Sequence, residues 1–309
     1  MRLIRPDTRI DFVGLRKVAV IISLVVLAIA VGSLVTQRLA LGVDFTGGVV
    51  IEVGYPEAVE LNDVRAALAD GGYNDAVVQF FGGSRDVLIR LAPQEGTESA
   101  QVSSNVLRVL EQAQSGVEMR RIEFVGPQVG EELTNKGGLA LLYALIGILI
   151  YVIFRFHWKL AVGAVAALAH DVVVTLGLFS LLQIEFDLTV IAALLAVIGY
   201  SLNDTIVIFD RIRENFRRMR KATPQEVVNG SINQTLARTL MTGLTTLLVL
   251  LALLFIGGEA LEGFSIALIA GVVVGTYSSI YVASSLALWL YLDKEDLFPP
   301  KEETAEEHM

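Results

Sequence analysis

Asp204 sits in a run that is otherwise uncharged from Leu188 to Phe209. A carboxylate at hydrocarbon depth costs roughly 2.5–3.5 kcal/mol on insertion scales, so it should face a partner, a cavity or a proton path rather than lipid. Tyr200, Ser201, Asn203 and Thr205 widen the polar spot around it. The chemistry open to such a group is gain and loss of a proton. Six residues separate it from Asp210, where charge resumes, which puts it roughly 9 Å inside that end of the helix. Arg238 opens the next apolar run from the same side, and its long stem can snorkel toward water. An Asp204–Arg238 pair across neighbouring helices is one reading; an arginine that anchors a helix end at the headgroups is the other. His170-Asp171 places two more titratable groups in the middle of an apolar run. They suit a proton relay or a hydrogen-bonded pair that fixes packing.

The elements that must position these groups are membrane helices. Hydrophobic residues make up 54% of the 309 and charged residues only 18%, the balance of a multi-span membrane protein. Six runs are long enough to cross: Val18–Thr36, Gly137–Phe154, Leu160–Leu182, Leu188–Phe209, Thr239–Ile256 and Gly263–Leu292. The last is overlong, so it should tilt or project. The first follows Arg2, Arg5, Arg9, Arg16 and Lys17, which resemble a signal-peptide n-region, and Ala28-Ile29-Ala30 offers a small-x-small site. Its length favours an uncleaved anchor. Basic residues crowd the loops between runs two and three and between runs four and five, while 183–187 and 257–262 carry none. The positive-inside rule then sets residues 1–17, the amphipathic loop 210–238 and the acidic tail 293–309 in the cytoplasm, and 37–136 outside. With no cysteine, disulfides and thiolate metal centres are excluded. No catalytic motif, metal site or cofactor is expected.

Residues 37–136 are polar enough to fold in water. Strands are predicted at Val49–Tyr55, Ala76–Phe81, Val87–Leu91 and Val117–Val125, and helices at Glu60–Ala69 and Ser99–Gln112. The order βαββαβ predicts a ferredoxin-like domain. Before it lies Gly42-Val43-Asp44-Phe45-Thr46-Gly47-Gly48. Gly42, Asp44, Gly47 and Gly48 read as a tight connector where the chain leaves the membrane. No helix follows this motif and no Lys-Ser/Thr ends it, so phosphate binding is not indicated. On the other side, Thr223-Pro224-Gln225-Glu226 is a capping box that predicts a short helix to about Asn233. The basic stretch 211–221 beside it suits the anionic inner leaflet better than nucleic acid. Gly271 and Gly275, and Thr242, Gly243, Thr245 and Thr246, read as close-packing positions.

Several of these segments together resemble the SecF family, the smaller partners of SecD in bacterial protein export, within the resistance–nodulation–division superfamily. They are Gly42–Gly48, Ala169-His170-Asp171-Val172, Ile198–Asn215, Ser231–Leu240, Gly263–Ser265 and Gly275–Ala283. The resemblance covers nearly the whole chain. It implies that Asp204 is the membrane carboxylate of proton conduction and Arg238 its basic partner. It implies an inner-membrane subunit that works with SecD and the SecYEG channel on preproteins, driven by the proton-motive force after SecA has acted. Six spans are half of the superfamily's twelve, so SecD would supply the rest. Three other readings stay open on the residues alone: a proton-driven exporter of small molecules or lipids, an intramembrane aspartyl protease using Asp171 and Asp204, and a passive scaffold.

Overall fold

The computed structural model describes residues 9–92, 99–219, 221–258 and 261–297. The basic residues Arg2 and Arg5 and most of the acidic tail, 298–309, lie outside the described residues. The chain enters α1 (Arg16–Thr36), then β1 (Ala40–Leu41), the single turn α2 (Val43–Thr46) and β2 (Gly48–Gly54). There follow α3 (Leu61–Asp70), β3 (Val77–Phe80), β4 (Asp86–Leu91), α4 (Ser99–Ala113) and β5 (Glu118–Val125). The remainder is helical: α5 (Pro127–Arg155), α6 (Trp158–Leu182), α7 (Leu188–Arg218), α8 (Pro224–Ile256) and α9 (Glu262–Ser278). The pair β6 (Glu185–Phe186) interrupts α6 and α7, and α10 (Ser284–Trp289) and α11 (Lys294–Leu297) end the described chain.

Among the described residues six helices are long and apolar enough to cross a membrane. α6 and α7 and the sixth helix, Glu262–Trp289, form the middle of the bundle, each with 44–50% of its apolar window buried. α1 packs on α6, and α8 on α7 and α9. α5 and α8 bury only 11% and 17% of theirs, so most of their surface is left to lipid or to another protein.

Two expectations change. The capping box at Thr223 is formed, with Thr223 Oγ1 accepting from Glu226 N and Glu226 Oε2 accepting from Thr223 N. It does not open a separate short helix; α8 runs unbroken from Pro224 to Ile256. No proline interrupts it after Pro224, and extending a formed helix costs far less than nucleating one. Val227, Val228, Ser231 and Ile232 are buried at its start, so the expected amphipathic loop 210–238 is mostly the projecting ends of two spans. α5 starts ten residues before its apolar run, because Pro127 at N1 is pre-set for a helix. The sixth span contains a π-helical turn at Ser279–Ala283. Such turns are frequent at functional sites.

Outside the bundle, β3-β4-β2-β5 form one antiparallel sheet. Alternation along β4 buries Val87, Ile89 and Leu91, which meet Val64 and Leu68 of α3 and Val106 and Leu110 of α4 in a closed apolar core. This unit is tied to the bundle at several points. β1 pairs in parallel with β6, Ala40 opposite Glu185 and Leu41 opposite Phe186. Phe45 of α2 stacks on Phe186 at 5.9 Å, inside an apolar cluster with Phe179, Val190 and Leu194.

Candidate functional site

Asp171 of α6 is the hub of a network that engages both of its carboxylate oxygens and leaves His170 Nε2 buried without a partner among the described residues. Ser201 Oγ of α7 donates to its Oδ2 at 2.5 Å, and Ser278 Oγ of α9 donates to the same oxygen at 2.8 Å. His170 Nδ1 lies 3.1 Å from Oδ1. One turn along α7, Thr205 Oγ1 meets Ser279 Oγ at 2.8 Å, and Ser279 Oγ also donates to the Ser201 carbonyl at 3.3 Å. The three central helices are therefore stitched together by short polar side chains. Missing side chains let them approach: a Cβ on Gly275 would stand 2.9 Å from the Ser201 Cβ, and one on Gly271 would stand 2.1 Å from Val197 Cγ2. Replacing Asp171 with leucine should orphan the Ser201 hydroxyl and the imidazole Nδ1, while Ser278 Oγ keeps the Gly275 carbonyl at 3.2 Å. We expect a loss of about 1–3 kcal/mol, read as a lower melting temperature in detergent. Asp171→Asn keeps an acceptor and should lose less; equal losses for the two variants would contradict this role.

Asp204 has different surroundings. It is 3% exposed, yet its Oδ2 has no hydrogen-bond partner among the described residues. One turn away, the buried Tyr200 hydroxyl faces Thr242 and Thr246 of α8 without meeting hydrogen-bond geometry with either. Thr239 Oγ1 of α8 is likewise buried and unsatisfied. Buried polar atoms are normally paired, so three in one region mark the α7/α8 seam as unfinished. Arg238 is exposed. Among the described residues no ion pair or hydrogen bond joins it to Asp204. Asn203 is exposed on the outer face of α7. Asp171 and Asp204 share no hydrogen bond, and both oxygens of Asp171 are already engaged. That arrangement is unlike two aspartates sharing one proton.

The connector reaches the opposite end of the same helix. Asp44 Oδ2 accepts from Leu188 N at 3.1 Å, and Asp187 caps α7 by accepting from Val190 N at 2.9 Å. Gly42 N donates to the Phe186 carbonyl at 2.9 Å. Arg90 of β4 pairs with Glu185 of β6, so the sheet is bound directly to the loop that starts α7. Burial holds the Glu185 carboxyl above the ordinary glutamate range; Arg90 opposes the rise, and Asp187 and Asp44 add to it. The folded state therefore binds this proton more tightly than the unfolded chain. The stability it contributes is complete below the ordinary value of about 4.3 and is lost as pH rises through the raised value. Glu185→Gln should flatten that part of the melting-temperature profile. An unchanged pH dependence would contradict the assignment.

Ser278, Ser279 and Thr239 were not singled out by sequence reasoning. A serine pair deep in an apolar run was the available signal, and it reads equally as small-residue packing.

Six apolar helices around buried carboxylates, with an α+β unit outside the bundle, define a polytopic helical membrane protein. Residues 105–293 match the family model described as protein export membrane protein SecD/SecF, C-terminal, and residues 32–55 match the SecD/SecF GG motif. The chain belongs to the SecF family of protein-export membrane subunits, which are translocation factors rather than catalytic enzymes. It is 52% identical to the protein translocase subunit SecF of Vibrio alginolyticus over 98% of this chain and 96% of that one. It is 53% identical to that of Pseudomonas aeruginosa over 94% of this chain and 95% of that one. The crystal structure of SecDF, a translocon-associated membrane protein from Thermus thermophilus, superposes with a TM-score of 0.84 at 40% identity. That match covers 92% of this chain but 39% of the solved one, so the chain spans about two fifths of that protein.

Proposed function

We propose that this chain is the SecF half of a proton-driven accessory to the bacterial Sec translocon. With a SecD partner it uses the proton-motive force to promote preprotein movement through SecYEG. The unsatisfied Asp204 at the α7/α8 seam carries this reading. A buried carboxylate without a partner is poised to take up and release a proton, and its charge state alters the packing of α7 on α8. Asp204 is the titrating group and Arg238 a cation that biases it from outside the seam. Tyr200, Ser201, Asn203 and Thr205 support the site. His170 and Asp171 hold the central helices in register. One elementary charge crossing about 100 mV supplies roughly 2.3 kcal/mol, enough to bias a bistable packing, so repeated cycles would be needed.

Residues 1–17 and the tail 293–309 are cytoplasmic in this reading, and 37–136 form a ferredoxin-like domain on the far side of the inner membrane. The sheet order and the antiparallel pairing support that fold. The connector Gly42, Asp44, Gly47 and Gly48 links the domain to the start of α7, so motion of α7 reaches the exported surface. The exposed faces of α5 and α8 suit a SecD partner contributing the second set of spans. The test is reconstitution of the chain with SecD and SecYEG in inverted vesicles. Gradient-dependent stimulation of preprotein protection should require both subunits. Stimulation with SecD alone would overturn the proposal.

A further inference from the structure

We propose that the chain carries a binding site for one anionic phospholipid, in the leaflet next to its N-terminus. A groove of about 490 Å³ lies between α1, α6 and the end of the sixth helix. From α1 it is lined by Val20, Leu24, Leu27 and Val31. Their spacing of four, three and four residues puts them on one helical face. They span eleven residues, or about 16 Å, close to half of the roughly 30 Å hydrocarbon core. The groove is thus one leaflet long, as an acyl chain requires. It is open on the side of α1, where Leu24 is 60% and Val31 48% exposed. Trp289, 63% exposed, forms the foot of the groove, and such residues settle at headgroup depth.

Charge at the foot selects the headgroup. Arg16 and Lys17 lie one turn below Val20, on either side of the apolar stripe by helical spacing. Both also line a second cavity, of about 460 Å³, which holds Asp11 and Glu226 as well. Those two acids are engaged by backbone: Asp11 Oδ1 accepts from Gly14 N at 2.8 Å, and Glu226 Oε2 from Thr223 N at 2.8 Å. Among the described residues Arg16 and Lys17 make no ion pair. Two cations that make no ion pair among the described residues, beside an apolar slot of one-leaflet length, fit a phosphate-bearing, net-negative lipid. A zwitterionic lipid would fill the slot with less electrostatic gain.

The test uses Trp289 as reporter in a full-length Trp158→Phe variant. Purified protein is placed in symmetric vesicles that contain phosphatidylglycerol or phosphatidylcholine brominated near the headgroup end of the chains. Excess quenching by the brominated phosphatidylglycerol is expected. Arg16→Gln and Lys17→Gln should each lower that preference about fivefold at low salt, and high salt should do the same. Ala169 is exposed in the groove wall, so Ala169→Phe should fill the slot and reduce quenching by both lipids. If Ala169→Phe does not fold, the two charge variants decide alone. Equal quenching by the two lipids, or a preference unchanged by both charge variants, overturns the site. Symmetric vesicles make the result independent of insertion direction and of SecD, so its failure is distinct from failure of the proposed function.

Discussion

Asp204→Asn is expected to abolish the gradient-stimulated part of preprotein export, by tenfold or more (about 1.4 kcal/mol or greater), while complex assembly survives. Asparagine keeps the size of the side chain and removes its charge cycle. The packing loss should be small, because Oδ2 gives up no hydrogen bond among the described residues. Asn can no longer switch the α7/α8 seam between a charged and a neutral state. The measurement is protease protection of a labelled preprotein in inverted vesicles, with and without an ionophore. Wild-type export should fall to the Asp204→Asn level when the gradient collapses, and the variant should be insensitive to the ionophore. Gradient-stimulated export at the wild-type level in the variant would falsify the titration role. Loss of co-purification with SecD would favour a scaffold instead. Arg238→Gln should be milder, because Arg238 is exposed and among the described residues forms no ion pair with Asp204. Arg238→Lys should restore most of what Arg238→Gln loses.

Much of this architecture was legible in the residues, for physical reasons that differ by element. The spans declare themselves because hydrocarbon forbids long polar stretches. The strands of the outer sheet follow from alternation: Val87, Ile89 and Leu91 are apolar at every second position, and all three are buried. Asp204 stood out because a carboxylate in an apolar run has few innocent explanations. Its surroundings did not, since partners depend on the relative rotation of helices far apart in sequence. Asp171 is bonded to Ser278, 107 positions away, and no local pattern sets that contact. The serines of the sixth helix looked like packing residues because small side chains serve both purposes. The parallel pairing of Ala40–Leu41 with Glu185–Phe186 is only two residues long on each side, below what periodicity can reveal. The continuity of α8 was hidden by Arg238, whose charge reads as a helix end although a guanidinium on a long stem can ride on an unbroken helix.

Gly48→Ala is expected to have the largest effect on stability, and it acts from outside the membrane. Gly48 opens β2, which pairs with β4 on one side and β5 on the other. Its φ of +128° belongs to a region that side chains rarely occupy, which alone costs about 1–3 kcal/mol. A Cβ there would also stand 2.3 Å from the Leu91 carbonyl oxygen. That oxygen is backbone in the paired strand β4, so relief requires the ladder itself to shift. The start of β2 then loses its register just where Gly47 leads back to α2. Asp44 of α2 accepts from Leu188 N, and Gly42 is bonded to Phe186. Displacing β2 should therefore loosen the grip on the first turn of α7, the helix that carries Asp204. We expect earlier melting of the outer domain, by about 4–8 °C per kcal/mol lost, faster proteolysis near the connector, and weaker gradient-stimulated export. Gly83→Ala is the matched control, because Gly83 lies in a loop with no atom nearer than 4.0 Å to an added Cβ. If Gly48→Ala melts and exports like Gly83→Ala, the connector does not transmit anything from α7 to the outer domain.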